Sequence, residues 1–408
     1  MPAAMSALTS ATGPRVARGS GLALRTALLL GVVLAPGAAL ASVQPCTEAG
    51  LDAAVSAGGT NTFSCAGPTT ITITTSKMIS VASLVLDGGG LLTISGNNAL
   101  RVFQVGNTSS VTFQNLAINN GSLTNGNGAA ILNFGTATIV HSSFSNNSIV
   151  NGGGAALQNV GAMTVDTSSF LNNSVTASSP TNNADGAAIN NNGSLMTVSN
   201  STFSGNSAGR GGAILASTSM TVYNSTIVNN SASVSCGAGA IFAGTGTTTF
   251  ANTIMANNTS GGACRPNCNG NVAAGPDSIA DTPNCGSATQ ATFAQINLGA
   301  LTGSPAYFPL SAGSVAIDAG SNAICAAAPV NNTSQNGIAR PADGNGDNTA
   351  TCDVGSFEAA AIAPPIIVAP TTPLPAPMLS QWMMLLLGAG LAFLAMARMR
   401  SVPADESR

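Results

Sequence analysis

Residues 128–173 read GAAILNFGTATIVHSSFSNNSIVNGGGAALQNVGAMTVDTSSFLNN, two copies of one pattern set end to end. Each copy opens with small-small-Ala-Ile/Leu, passes through alternating residues such as Ala137-Thr138-Ile139-Val140, and reaches a Phe with an Asn three positions later. Working outward, the first element recurs at Ile131, Leu157, Ile189, Ile214 and Ile241. The second recurs as Leu116…Asn119, Phe144…Asn147, Phe170…Asn173, Phe203…Asn206, Ile227…Asn230 and Ile254…Asn257, in strict alternation with the first. From each Ile/Leu to the next Phe/Ile is 13 residues in four cases and 14 in one, whereas the return takes 11 to 19. Each unit thus has a rigid part and a turn that tolerates insertion.

Units of this size with insertions on one side describe a solenoid. The units are β: no window has helical apolar spacing, and Gly and Asn are too frequent for helices. One unit cannot bury a core alone. Stacking at the ~4.8 Å strand spacing places Ile, Phe and Val of successive units in columns. The fold class predicted is all-β, a right-handed parallel β-helix. The six Asn (Asn119, Asn147, Asn173, Asn206, Asn230, Asn257) are expected to form an inner ladder, each amide bonding the next coil and sparing a buried polar group about 1–3 kcal/mol. The Gly before Ala-Ile predicts a tight turn or positive φ. Arg101-Val102-Phe103-Gln104-Val105 stands where an earlier Gly-Ala-Ala-Ile belongs. Solenoid ends need covers, and Thr47–Val55 suits a capping helix with Thr47 as N-cap.

Outside the repeat, Arg15, Arg18 and Arg25 precede an apolar run, Thr26–Ala35, and Ala39-Leu40-Ala41. This predicts a signal peptide over 1–41. The β-helix with its N-terminal cap is expected over 42–300, a β-rich cap domain over 301–358, and a Pro/Ala-rich spacer over 359–377. A transmembrane helix with a basic stop is expected over 378–400, then a cytoplasmic tail over 401–408. Met378 to Ala397 carries no charge, and Arg398 and Arg400 follow, which predicts membrane attachment through this helix. All eight Cys lie beyond residue 41. Disulfides in an oxidising compartment are expected: Cys46 with Cys65, Cys325 with Cys352, and the middle four among themselves, their pairing left open.

Charged residues are 6% of the chain, against about 25% in ordinary globular proteins. Between Ser42 and Ser380 five cations face twelve acids, a balance of −7. No basic stripe exists, so a nucleic-acid partner is not expected.

The GGAI and FxxN motifs resemble the β-helical passenger repeats of chlamydial polymorphic outer membrane proteins, over about residues 46–260. Residues 304–358 resemble the choice-of-anchor Q domain of bacterial surface proteins. The matching segments are Ser314-Val315-Ala316-Ile317-Asp318-Ala319-Gly320, Gly337-Ile338-Ala339-Arg340-Pro341 and Cys352-Asp353-Val354-Gly355-Ser356-Phe357-Glu358. The tail from Pro375 to Trp382 resembles the IPTL-CTERM sorting signal, with Pro377, Leu379 and Trp382 as its motif residues. These resemblances imply a β-helix displayed on the envelope of a Gram-negative bacterium, with an exosortase-like enzyme as sorting partner.

The repeat carries few groups for chemistry. Asp185 and Arg210 precede their Gly motifs by the same offset and are expected to pair on adjacent coils. The longest excursion, Ser174–Asp185, together with Asn151 and Arg210, is the candidate ligand face, because loops on a rigid scaffold commonly carry function. His141, the only His, reads as an outward strand residue. Asp343-Gly344-Asn345-Gly346-Asp347 has calcium-like spacing, but Val354 stands at the twelfth position, so a polar turn is expected. Cys264 and Cys268 lack a nearby His for zinc. No cofactor is expected. The function these features favour is a non-enzymatic surface protein, an adhesin, envelope or matrix component with a glycan or cell-surface ligand. The alternative is a carbohydrate-active β-helix enzyme, which needs clustered carboxylates.

Overall fold

A computed structural model describes residues 41–179, 184–262, 264–362 and 381–399. Short parallel strands wind through about eight turns of a β-solenoid from Gly59 to Gln290. A coil holds four strands: Ile131–Asn133, Thr136–Val140, Ser143–Ser145 and Ser148–Gly153 form one of them. The first three rows belong to one continuous parallel sheet assembly and the fourth to a second sheet.

The columns follow from the alternation. The first row stacks Phe103, Ile131, Leu157, Ile189, Ile214, Ile241 and Cys268. Phe103 therefore occupies the expected place of the missing Ile. The third row stacks Ile94, Ile118, Phe144, Phe170, Phe203, Ile227 and Met255. Its three Phe rings are parallel, 5.0 and 4.7 Å apart between centroids. Between the fourth row and the small-residue turn lies a second, thin core of Ile149, Val175, Ala129, Ala155 and Ala187. Two sheets meet closely there, which explains the small residues. A Cβ at Gly212 would stand 2.6 Å from the Gly239 carbonyl oxygen. The leading Gly does take positive φ: 67° at Gly128 and 63° at Gly154.

The N-terminal end is closed as expected. Helix Glu48–Ala57 starts at Thr47, whose Oγ1 accepts from Gly50 N at 3.2 Å. Buried Lys77 ties the helix down, donating to Glu48 and Asp52, both at 2.6 Å. Cys46–Cys65 and Cys325–Cys352 form, and the middle four pair as Cys236–Cys264 and Cys268–Cys285. Four disulfides fit an oxidising, extracytoplasmic environment.

Two expectations at the C-terminus are corrected. The region after the solenoid is not β-rich. It holds two short helices, Phe293–Ile296 and Asn322–Ala326, and isolated bridges such as Leu298–Leu310 and Ala342–Thr351. Nor does it sit only over an end. It lies along the third row, where Gln335 Nε2 donates to Ser168 O and Ser356 N to Thr226 Oγ1. The tail forms a helix, Gln381–Met399, with exposed apolar side chains. No helix among the described residues is long and apolar enough to cross a membrane. From Gln381 to Arg398 the uncharged helical stretch spans about 26 Å at 1.5 Å per residue, short of the ~30 Å hydrocarbon core. Residues 1–40, Pro377 and Leu379 lie outside the described residues, as does most of the spacer. Trp382 heads the tail helix and is exposed.

Candidate functional site

The polar interior is a row of amides at the corner after the third strand. Asn173 Nδ2 donates to Asn206 Oδ1 at 2.9 Å and to Phe144 O at 3.1 Å. Its Oδ1 accepts from both Asn147 Nδ2 and Asn147 N. All four hydrogen-bonding places of the amide are filled. The row runs Asn147, Asn173, Asn206, Asn230, Asn258, Asn267 and ends on Asp281.

Two expected members are wrong. Asn257 is not in the row. It occupies the left-handed corner at φ 52° beside Asn258, and its Nδ2 donates to Asn229 on the surface. Asn119 is not in the row either. It pairs with Ser145 on the third strand, two positions early, and Gly121 N donates to Asn147 Oδ1 instead. Ile118, not Leu116, fills the Phe column; Met255, not Ile254, does so at the other end. A second row was not anticipated. Asn133 donates to Asn159, Asn159 to Asn191, and Asn191 to Thr218. Its signal is an Asn two residues after the Ile/Leu of the Gly motif, present in three successive coils.

Asp185 and Arg210 meet on adjacent coils, as their shared offset predicts. Arg210 Nε donates to Asp185 Oδ1 and its NH2 group to Oδ2, both at 2.9 Å. The guanidinium also lies 5.5 Å from the Phe242 ring centroid, a favourable cation–π arrangement. Asn151 is nearby along the fourth row: its Oδ1 accepts from Ser178 N at 2.7 Å, and its Nδ2 donates to Asn125. The excursion is shorter than read. Ser174–Thr176 and Ala184–Asp185 are strands paired with Ser148–Gly153. Thr176 pairs with Val150 and Ala184 with Gly152, so the extra residues of this coil, numbers 177–183, correspond in register to Asn151 alone, and 180–183 lie outside the described residues.

No family model, curated protein or solved structure matches the chain.

Beside the salt bridge runs a polar groove of about 200 Å³, lined by Gly152, Asp185, Asn190, Arg210, Ser217 and Phe242 among others. It was not legible in the sequence as a groove. Its floor includes the outward side of the first row at Asn190 and its register partner Leu215. These two outward side chains are nonetheless buried, because the fourth-row turns wall them in.

Other candidates are accounted for. His141 is exposed but lies at a left-handed corner, φ 47°, rather than within a strand. Burial lowers its pKa, and Asp166 opposes this. Asp166 is pushed up by burial while Ser199 and Asn200 donate to it. The loop at Asp343 is a polar turn: Asp343 accepts from the backbone N–H of Gly346, Asp347 and Asn348. No group of three His, Cys, Asp or Glu stands together as a metal set among the described residues.

Proposed function

We propose that this chain is an exported β-helix displayed at the surface of a Gram-negative bacterium, where it binds a glycan or cell-surface ligand as an adhesin, envelope or matrix component. The observation that carries the reading is the fourth-row edge. Ser178, the corner residue Asn151 that it donates to, and the Asp185–Arg210 pair lie along one edge of a disulfide-closed scaffold. The groove there presents one carboxylate, Asp185, whose two oxygens are both taken by Arg210. Paired-carboxylate hydrolysis needs a second acid facing the first, and the groove's other polar lining is amide and hydroxyl. This supports binding over catalysis.

In this reading residues 1–41 direct export. Residues 301–358 are the choice-of-anchor Q-like region. The tail carries the sorting signal on which an exosortase-like enzyme acts. The test is expression in a Gram-negative host with and without residues 378–408, followed by surface labelling. Glycan and cell-surface arrays are run beside a polysaccharide-depolymerisation assay. Surface display that is lost as release on truncation, with array binding and no depolymerisation, is the expected result. Retention of the truncated form, or depolymerisation abolished by Asp185→Asn, overturns the reading.

A further inference from the structure

The outward side of the second row is unlike the other faces of the solenoid. Its central column stacks Thr112, Thr138, Thr164, Thr197, Thr221 and Thr249 on successive coils, with no slip of register between them. At ~4.8 Å per coil the ladder is about 24 Å long. All six side chains are half-exposed. Other outward columns do not keep one residue type in this way. The first row carries Gln104, Leu132, Gln158, Asn190, Leu215 and Phe242 in the equivalent place. The fourth row stacks Ser148, Ser174 and Ser207, but one residue pair alone joins its strands at Ser174–Ser207, and the register shifts after Ser231.

Threonine suits any wet strand face, so repetition alone does not make a site; the surroundings of the ladder do. A β-branched side chain has a restricted χ1, so each threonine sets a hydroxyl and a methyl in a fixed place. Thr221 donates to Thr197 at 3.3 Å; among the described residues the hydroxyls of Thr112, Thr138, Thr164 and Thr249 have no partner. Two residues earlier along each strand, about 6.6 Å away, the next column holds Ser110, Thr136, Ala162 and Leu195, all uncharged and reached by solvent. Two residues later stand Asp87 and Asp166, whose carboxylates are taken up by Gln114 and Asn115, and by Ser199 and Asn200.

The face is thus a fixed grid of hydroxyls and methyls without free charge. A grid gains little from a ligand that bends and tumbles. It suits a partner that repeats in two dimensions on the same scale. Crystalline polysaccharide is held by flat aromatic platforms, and neither column carries an aromatic ring. A water lattice needs only donors, acceptors and methyls at regular intervals. Waters already held at the ladder's spacing lose little further freedom on joining one.

We propose that the second-row face binds ice, with the threonine ladder as its contact surface. The ladder and the Asp185 edge lie on different rows, so this activity stands or falls separately from the binding function above.

The test grows an ice hemisphere slowly in a solution of the full chain and measures the fraction taken up, beside the rate of grain growth in flash-frozen samples. The chain is expected to enter the ice at least tenfold more than serum albumin and to halt grain growth. Thr164→Tyr, in the middle of the ladder, should cut both effects at least tenfold with Tm unchanged. Thr176→Tyr, exposed on the fourth row, should leave both as they were. Thr138→Lys takes the place of Thr164→Tyr if the latter lowers Tm. Uptake no greater than that of albumin overturns the proposal. So does uptake that both ladder variants spare, or that Thr176→Tyr lowers equally. Binding to microcrystalline cellulose or chitin that Thr164→Tyr abolishes, with no uptake into ice, gives the face to a crystalline polysaccharide and overturns the ice assignment.

Discussion

The third row of the solenoid is the same backbone twice, once bare and once covered. Around Phe144 its outward residues, Ser143 and Ser145, are half-exposed to solvent, and around Phe170 Leu171 is half-exposed while Ser169 is already buried. Around Ile227 and Met255 they are Thr226, Val228, Ile254 and Ala256, all buried under the lobe of residues 293–358. The inward column is continuous through both. A strand with one wet face alternates; a strand buried on both faces does not. Where alternation ends, a one-residue slip costs nothing in the pattern. Ile254 and Met255 read equally well as the inward residue, and Asn257 was mistaken for Asn258 for that reason.

The lobe is held by different physics from the coils, and the strongest way to break the comparison is to unlock it. Arg340 and Glu358 are fully buried and paired at 2.8 Å. Arg340 also donates to the carbonyls of Thr333, Asp353, Gly355 and Phe357. Burial raises the Glu358 carboxyl to about 7 even against the opposing pull of Arg340. Arg340→Ala removes the partner of buried Glu358 and the donor to four backbone carbonyls, at a cost of about 3–5 kcal/mol. Limited proteolysis should then cut residues 293–358 first and leave the coils intact. Simultaneous loss of both would show that the two regions are one cooperative unit.

Next in size is the amide row. Asn173→Leu strands buried donors and acceptors on Asn147, Asn206 and Phe144, so a loss of at least about 2 kcal/mol is expected by denaturant unfolding. Asn119→Ala, whose side chain lies outside the row, should stay within about 0.5 kcal/mol. Asn258→Ala should lower Tm more than Asn257→Gly, which keeps the left-handed corner. Reversal of that order would restore the original reading of the sequence.

The covered and bare faces can be compared directly. Ile254→Ser removes a fully buried side chain worth about 1.5–3 kcal/mol, whereas Leu171→Ser on the bare face should cost far less. Equal effects would mean that the lobe does not rest on this row in solution.

The smallest effect concerns acid. The hydrogen bond from Lys77 holds Glu48 down at about 2, against 4.5 unperturbed. A carboxylate lowered on folding stabilises above its unfolded value and loses that contribution as pH falls through its folded one. Hydrogen exchange in helix Glu48–Ala57 should therefore accelerate between about pH 4.5 and pH 2, ahead of the coils. Uniform acceleration would argue against a separately locked cap.

What was legible followed from repetition. The columns at Ile131 and Phe144, the central four ladder residues, the Thr47 cap and the Asp185–Arg210 pair all rest on offsets that recur in sequence. The lobe was not legible in form, because nothing in residues 293–358 repeats and its fold depends on single contacts such as Thr202 with Gln335. The groove was hidden for another reason. Asn190 and Leu215 are outward by alternation, and only the walls of the fourth row make them a floor.

The amide row also has a sense of direction. Every side-chain link from Asn147 to Asn267 donates toward the C-terminal coil, and the last nitrogen meets the Asp281 carboxylate at 2.7 Å. Aligned amides polarise one another, so the row behaves as a long dipole with its positive end stoppered by an anion, much as a helix N-terminus is. The solenoid therefore has an electrical head and tail. A further coil spliced in above Asn147 would simply lengthen the dipole. One spliced in below Asn267 would have to displace the stopper, so growth of this fold by duplication is easier from one end than from the other.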